Sequence, residues 1–239
     1  MNGSALYQVS LLQALSLGRY EGSVKISELK KNGNNGIGTF DGLDGEMIML
    51  DGTVYKASAD GSVSVMDDDA KTPFANVTFA ADDLSKTVSA ASMKGLSDEL
   101  DRMVASVGIN SVYFIRLSGT FNSIRVRSVP KQKRPYRKLA DALSLEQVEW
   151  TLRDVRGTVV GLYCPSYMSA VNNHGWHLHF ISDDRKKGGH VLDLSVTDGR
   201  CIFTKVDSLK IVLPDNGSFH SLDLSQDQER DIKRIEGTD

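Results

Sequence analysis

The residues best suited to chemistry in this chain are histidines. Five are present, and three of them, His177, His179 and His190, fall close together. Successive side chains of a β-strand point to opposite faces. The run Trp176-His177-Leu178-His179-Phe180 therefore places both histidines on one face and Leu178 on the other. A charged, glycine-ended segment from Asp183 to Gly189 follows, and a second strand-like run opens at His190. If the two runs pair as a hairpin with His179 opposite His190, the opposed residues share a face with Cβ atoms about 4.5–5.5 Å apart. Three imidazoles then converge. Three His with the remaining positions open is the donor set of a catalytic rather than a closed structural transition-metal site. An HxH run alone is more often a pair of satisfied polar residues; the third histidine at strand-pair spacing is what favours a metal. His174, three positions before His177, has the wrong parity for the same face, and His220 is remote.

The scaffold that must hold this face reads as helices and strands first, then mostly strands. Ser4 to Gly18 predicts a helix, with Leu6, Val9, Leu12 and Leu15 at helical spacing and Gly18 as its stop. Ser27 to Lys31 predicts a short helix capped by Ser27, and the stretch from Asn32 to Gly38 reads as a flexible connector. The period then changes from 3.6 to 2. Glu46 to Leu50, Thr53 to Ser58 and Ser62 to Met66 are strand-like runs separated by Asp51-Gly52 and Asp60-Gly61, and Asp-Gly is a strong hairpin signal. Pro73 to Ala80 is a further strand. Leu96, Leu100, Met103, Val104 and Val107 make one apolar stripe of a helix over 92–107. Val112 to Leu117 and Phe121 to Val129 read as strands joined by a turn at Ser118-Gly119-Thr120. Residues 140–151 read as a short helix or a linker. Val155 to Cys164, Trp176 to Ser182, His190 to Val196 and Arg200 to Leu213 are β-rich, and Gln226 to Ile235 is a charged segment with helical potential. The class is α/β of the α+β, β-rich kind: a mixed sheet with helices over 1–139, and a mostly β metal-binding part over 140–239.

Composition narrows the partners. The chain has 239 residues and a net charge of −3, which offers no global field for nucleic acid or anionic lipid. Cys164 and Cys201 cannot staple a chain of this size, which fits a reducing compartment. No run approaches the roughly 18 apolar residues of a membrane span. The first residues have no Lys or Arg before their apolar stretch, unlike a secretory signal. A cytoplasmic location is expected. The basic run Lys131 to Lys138 reads as a solvated loop or as an anion-attracting rim of the site.

Several segments together resemble the α-acetolactate decarboxylases: GTFDGLDGEMIMLDGTVYKASADG from Gly38, FNSIRVRSVPKQKRPY from Phe121, WHLHFISDDRKKGGHVLD from Trp176, and the closing RIEGTD. The combination of HxH, a third histidine after it and the RSVP run upstream is specific. The resemblance implies a metal-dependent carbon–carbon lyase, usually with zinc, that converts (S)-2-acetolactate to (R)-acetoin and carbon dioxide. It also implies two α/β domains, an amino-terminal sheet extending across a homodimer, and a barrel-like antiparallel carboxy-terminal part. By motif, His177, His179 and His190 match the metal-binding histidines. Glu46 matches the acid of the LDGE segment, Arg127 the arginine of RSVP, and Glu236 the glutamate near the carboxy terminus.

Those residues suit the reaction. Losing carbon dioxide from a small anionic 2-hydroxy-3-keto acid leaves an electron pair on carbon, which a Lewis acid can hold. Arg127, always charged, can place the carboxylate. A carboxyl group must return one proton to one face, with Glu236 the first candidate and Glu46 the alternative donor or base. Two rivals stand beside this reading. A cupin-type metal enzyme acting on another small oxygenated substrate places an acidic ligand after HxH with three or four residues between them, where Asp183 and Asp184 fall, but leaves His190 unused. A β-rich binding module would hold its histidines incidentally.

Overall fold

The described residues, 4–169 and 171–225 of a computed structural model, form thirteen strands and five α-helices. In chain order these are β1 (Ser4–Val9), α1 (Leu12–Ser16), β2 (Val24–Lys25), α2 (Ile26–Asn32), β3 (Asn35–Thr39), β4 (Glu46–Leu50), β5 (Thr53–Ala57), β6 (Val63–Val65), β7 (Lys71–Thr72), β8 (Ala75–Thr78) and β9 (Leu84–Ala90). Then follow α3 (Met93–Val107), β10 (Val112–Ser128), α4 (Leu139–Glu146), β11 (Val148–Cys164), β12 (Gly175–Ser182), β13 (Gly188–Val212) and α5 (Gly217–His220).

Eleven strands share one sheet. Its order is β10-β11-β12-β13-β1-β8-β3-β4-β5-β6, with β9 on β13; β2 and β7 make a separate ribbon. A further pairing of β10 with β13 closes β10, β11, β12 and β13 into an antiparallel ring, the barrel-like part of the fold. Phe121 and Phe180 meet edge to face in its core, ring centroids 5.3 Å apart. The stripe of α3 buries Leu96, Leu100, Met103 and Val104 in the same core, each large side chain contributing roughly 1.5–3 kcal/mol. Ser92 caps α3 by accepting from the Gly95 N–H at 3.1 Å. The Asp51-Gly52 pair turns β4 into β5 with φ of 50° and 81°, the positive pair that a two-residue hairpin needs.

Five local expectations differ from the structure. Ser4–Val9 is a strand, not the start of a helix. It runs parallel to β13 and antiparallel to β8, and Leu6 through Val9 are all buried. A strand covered on both faces shows no alternation, so its apolar residues, continued into α1, imitate helical spacing. Gln8 is tolerated there because its amide donates to the Ser10 and Val171 carbonyls at 2.8 and 2.9 Å and accepts from Asn172. Residues 35–39 form β3, paired with both β4 and β8, rather than a flexible connector. Its glycines serve close packing, since a Cβ on Gly38 would stand 2.4 Å from the Phe74 carbonyl oxygen. Ser118-Gly119-Thr120 does not turn; β10 passes through it, with register shifts against β13 instead. The runs at 190–196 and 200–213 likewise fuse into the 25-residue β13. The short helix around Ser27 is present, but Lys25 occupies its N-cap position.

Candidate metal centre

Register builds the site. At residue 190, β13 lies between two partners: His190 is paired with His179 of β12 on one side and with Arg127 of β10 on the other. Opposed residues of antiparallel strands share a face, so Arg127, His190 and His179 form one row across three strands. His177 joins that face by alternation. Gly189 permits the close approach, because it holds φ of 152° and a Cβ there would meet the Arg127 carbonyl oxygen at 2.6 Å. The hairpin and the His179–His190 pairing expected from the sequence are both present.

The three imidazoles are buried, with ring centroids 5.0–5.4 Å apart. One nitrogen from each lies within 4.8 Å of the others. His179 Nδ1 stands 2.8 Å from the Met47 carbonyl. A carbonyl only accepts, so Nδ1 carries the proton and Nε2 presents its lone pair. That Nε2 is 3.2 Å from His177 Nε2, close to the spacing of about 3.3 Å between two nitrogens bound tetrahedrally to one zinc ion. Burial pushes the His177 pKa down to about 3, with the Arg127 charge adding to it. Burial first, then neighbouring His177 for His179 and Arg127 for His190, hold the other two well below 6.5. Neutral imidazoles are the form that ligates a metal. The donor set therefore fits a divalent transition metal.

The acids and the arginine are placed as follows. Glu46 opens β4, is 9% exposed, and sets Oε2 3.5 Å from His179 Nε2. Arg127 is 5% exposed and donates from Nη1 to Gln147 Oε1 at 3.2 Å. Arg125, the other arginine of that strand face, is half exposed and paired with Glu149 at 3.0 Å. Glu236 lies outside the described residues. Asp183 and Asp184 sit exposed in the turn between β12 and β13, where Asp183 faces Arg156 and Asp184 accepts from Ser182. The acidic ligand of a cupin is therefore not at the cluster. His220 is exposed beside Asp215, and His174 is not among the clustered ligands.

Glu46, Arg127 and the three histidines line a cavity of about 400 Å³, counted with its opening. The opposite wall is apolar, built by Leu12 and Leu15 of α1, Leu139 and Leu143 of α4, and Leu43, Phe74 and Val129. A polar floor facing an apolar roof suits a small acid with alkyl substituents. The sequence reading missed this roof, and it missed Thr39, which lines the cavity from β3 while its hydroxyl donates to the Gly45 carbonyl at 2.7 Å. The four-residue spacing of Leu139 and Leu143 was the signal for the roof. The basic run is largely discharged: Lys131, Arg134 and Arg137 pair with Asp41, Glu21 and Glu146 at 3.2, 3.1 and 2.6 Å. Positive charge at the site comes from Arg127.

Known proteins resemble the whole chain. The family described as alpha-acetolactate decarboxylase matches residues 6–226. An alpha-acetolactate decarboxylase of Methanosarcina mazei is 41% identical over 97% of this chain and 80% of its own length. One of Raoultella terrigena is 39% identical over 94% of this chain and 86% of its own. The crystal structure of alpha-acetolactate decarboxylase from Bacillus subtilis strain 168 superposes with a TM-score of 0.93 at 33% identity, covering 98% of this chain and 99% of that one. The sequence match and the shared fold agree: the chain belongs to the alpha-acetolactate decarboxylase family.

Proposed function

We propose that this enzyme converts (S)-2-acetolactate to (R)-acetoin and carbon dioxide, as a step in acetoin formation, at the floor of the described cavity. The observation that carries the reading is the row Arg127–His190–His179 with His177 and Glu46 against it, facing an apolar wall. In the reaction the bond between the carboxylate carbon and the carbinol carbon breaks. Its electron pair spreads onto the neighbouring ketone as an enediolate, and one proton returns to the carbinol carbon. A divalent transition metal, when bound by His177, His179 and His190, supplies the Lewis acid that takes up the developing oxygen charge. Arg127 binds the substrate carboxylate through its charged fork and fixes which carbon–carbon bond breaks. The leucine and phenylalanine wall takes the methyl groups and keeps water from the enediolate. Glu46 is the carboxyl group that the described residues offer for returning the proton on one face; Glu236, the first candidate from the sequence, lies outside them.

Zinc is the metal in this reading, which three neutral imidazoles at the observed nitrogen spacing support. A homodimer is supported by the family resemblance. A cytoplasmic location is supported by two buried cysteines held as free thiols. The test is to load purified protein with zinc, add racemic acetolactate, and measure acetoin and carbon dioxide. Acetoin above the spontaneous rate, from half of the racemate, is expected. Acetoin at the spontaneous rate would overturn the reading.

A further inference from the structure

The cation of Arg127 has a neutral partner, and the reason lies in a chain of side chains leading outward. Gln147 Oε1 accepts from Arg127 Nη1 at 3.2 Å. Gln147 Nε2 donates to Glu149 Oε1 at 2.7 Å, and Glu149 Oε2 accepts from Arg125 Nη1 at 3.0 Å. The two arginines of one strand face are thus treated differently. The outer one receives the carboxylate, and the inner one receives an amide oxygen. Among the described residues no carboxylate pairs with Arg127, and its Nε is buried without a hydrogen-bond partner.

The amide cannot turn round. Reversing it would point NH₂ at the guanidinium, donor against donor, and the oxygen at Glu149, acceptor against acceptor. Glu149 therefore fixes the orientation of Gln147, and Gln147 fixes one edge of Arg127. The backbone is fixed as well. Gln147 ends α4 with its N–H donating to the Leu143 carbonyl at 3.0 Å. Leu139, Leu143 and Gln147 recur at a spacing of four, so one helix face brings the apolar wall and the arginine's acceptor to the site together.

We propose that Gln147 is a positioning residue: it holds Arg127 as a cation that no carboxylate of the described residues neutralises, leaving that charge for the substrate's carboxylate. This rests on the reading of Arg127 as the carboxylate's anchor. A glutamate at 147 would be nearly isosteric yet would compete with the substrate for the guanidinium, and repulsion from Glu149 would drive it inward.

The experiment compares Gln147→Glu, Gln147→Ala and Arg127→Ala in the zinc-loaded enzyme, reading KM and kcat for acetolactate beside zinc content and melting temperature. Gln147→Glu is expected to raise KM at least tenfold, and Gln147→Ala only two- to threefold, with one zinc retained in each. A space-filling role would give the opposite order, since the closest isostere would be the milder change. Gln147→Asp carries the same charge and is compared in the same way if Gln147→Glu does not fold. A raised KM in Arg127→Ala, together with a Gln147→Glu variant no worse than Gln147→Ala, overturns this inference alone. An unchanged KM in Arg127→Ala overturns the anchor reading and this inference with it.

Discussion

Truncating Leu143 should change which acid the enzyme prefers. Leu143 is 6% exposed on α4 and stands in the apolar wall opposite the three histidines. Leu143→Ala removes three carbon atoms from that wall and leaves room for a bulkier substrate. An analogue with ethyl in place of methyl on the carbinol carbon adds one methylene, worth about 0.8 kcal/mol when buried. At 1.36 kcal/mol per factor of ten that is about fourfold. The ratio of kcat/KM for the ethyl analogue to that for acetolactate should therefore rise about fourfold. The same truncation should cost about 2–5 kcal/mol of stability, which at roughly 2–4 °C per kcal/mol lowers Tm by about 4–20 °C. Competition between the two acids, with both hydroxyketones quantified, reads the ratio, and calorimetry reads the Tm. A variant whose Tm falls while its ratio stays at the wild-type value would show that the wall does not touch the substrate's alkyl group.

Three other outcomes follow from the site. His190→Ala removes the imidazole at the centre of the row, so zinc per chain after dialysis should fall at least tenfold; full occupancy would sink the three-histidine centre. Glu46→Gln keeps the shape but loses the carboxyl proton, so kcat should fall about 10²–10⁴-fold with zinc retained, and a wild-type kcat would remove Glu46 from the chemistry. In chelated protein the histidines titrate near 6.5 when unfolded but far lower when folded. The unfolded chain then takes up protons first as pH falls, so stability is full above about pH 6.5 and declines below it. At pH 5.5 the loss is about 1.4 kcal/mol per histidine, roughly 4 for three. Urea midpoints at pH 7.5 and 5.5 measure it, and equal midpoints would contradict the burial of these rings as neutral groups.

How much of this was legible in the sequence depends on how local the deciding physics is. The convergence of the histidines on one face was legible because alternation and a short hairpin act over a few residues: His177, His179 and His190 needed only period two and one register. The helix over 93–107 and the Asp51-Gly52 hairpin were legible for the same reason. Choosing Arg127 over Arg125 was not. Both lie on one strand face, and what separates them is burial beside His190 and the placement of Glu149, both set by partner strands. β1 was misread because its partners are far away in the chain and cover both its faces. β3 was misread because its glycines answer to the neighbouring β8, which local composition does not reveal.

The place of β1 in the sheet has a consequence for the order of events in the cell. The hydrogen-bonded path from the histidine-bearing β12 and β13 to β4, which carries Glu46, passes through β1 and β8. β1 is the first described strand to leave the ribosome, and β13, its parallel partner, is the last. Pairing of Ser4 with Val206 closes a loop of nearly the whole chain, a slow step of high contact order. No nascent fragment lacking β13 can assemble the centre, because His190 and the strand that seats β1 arrive together. Until then an apolar strand waits without its partner, a state prone to aggregation. Slowing synthesis should therefore not help this protein fold, whereas a chaperone that shields Ser4–Val9 until release should.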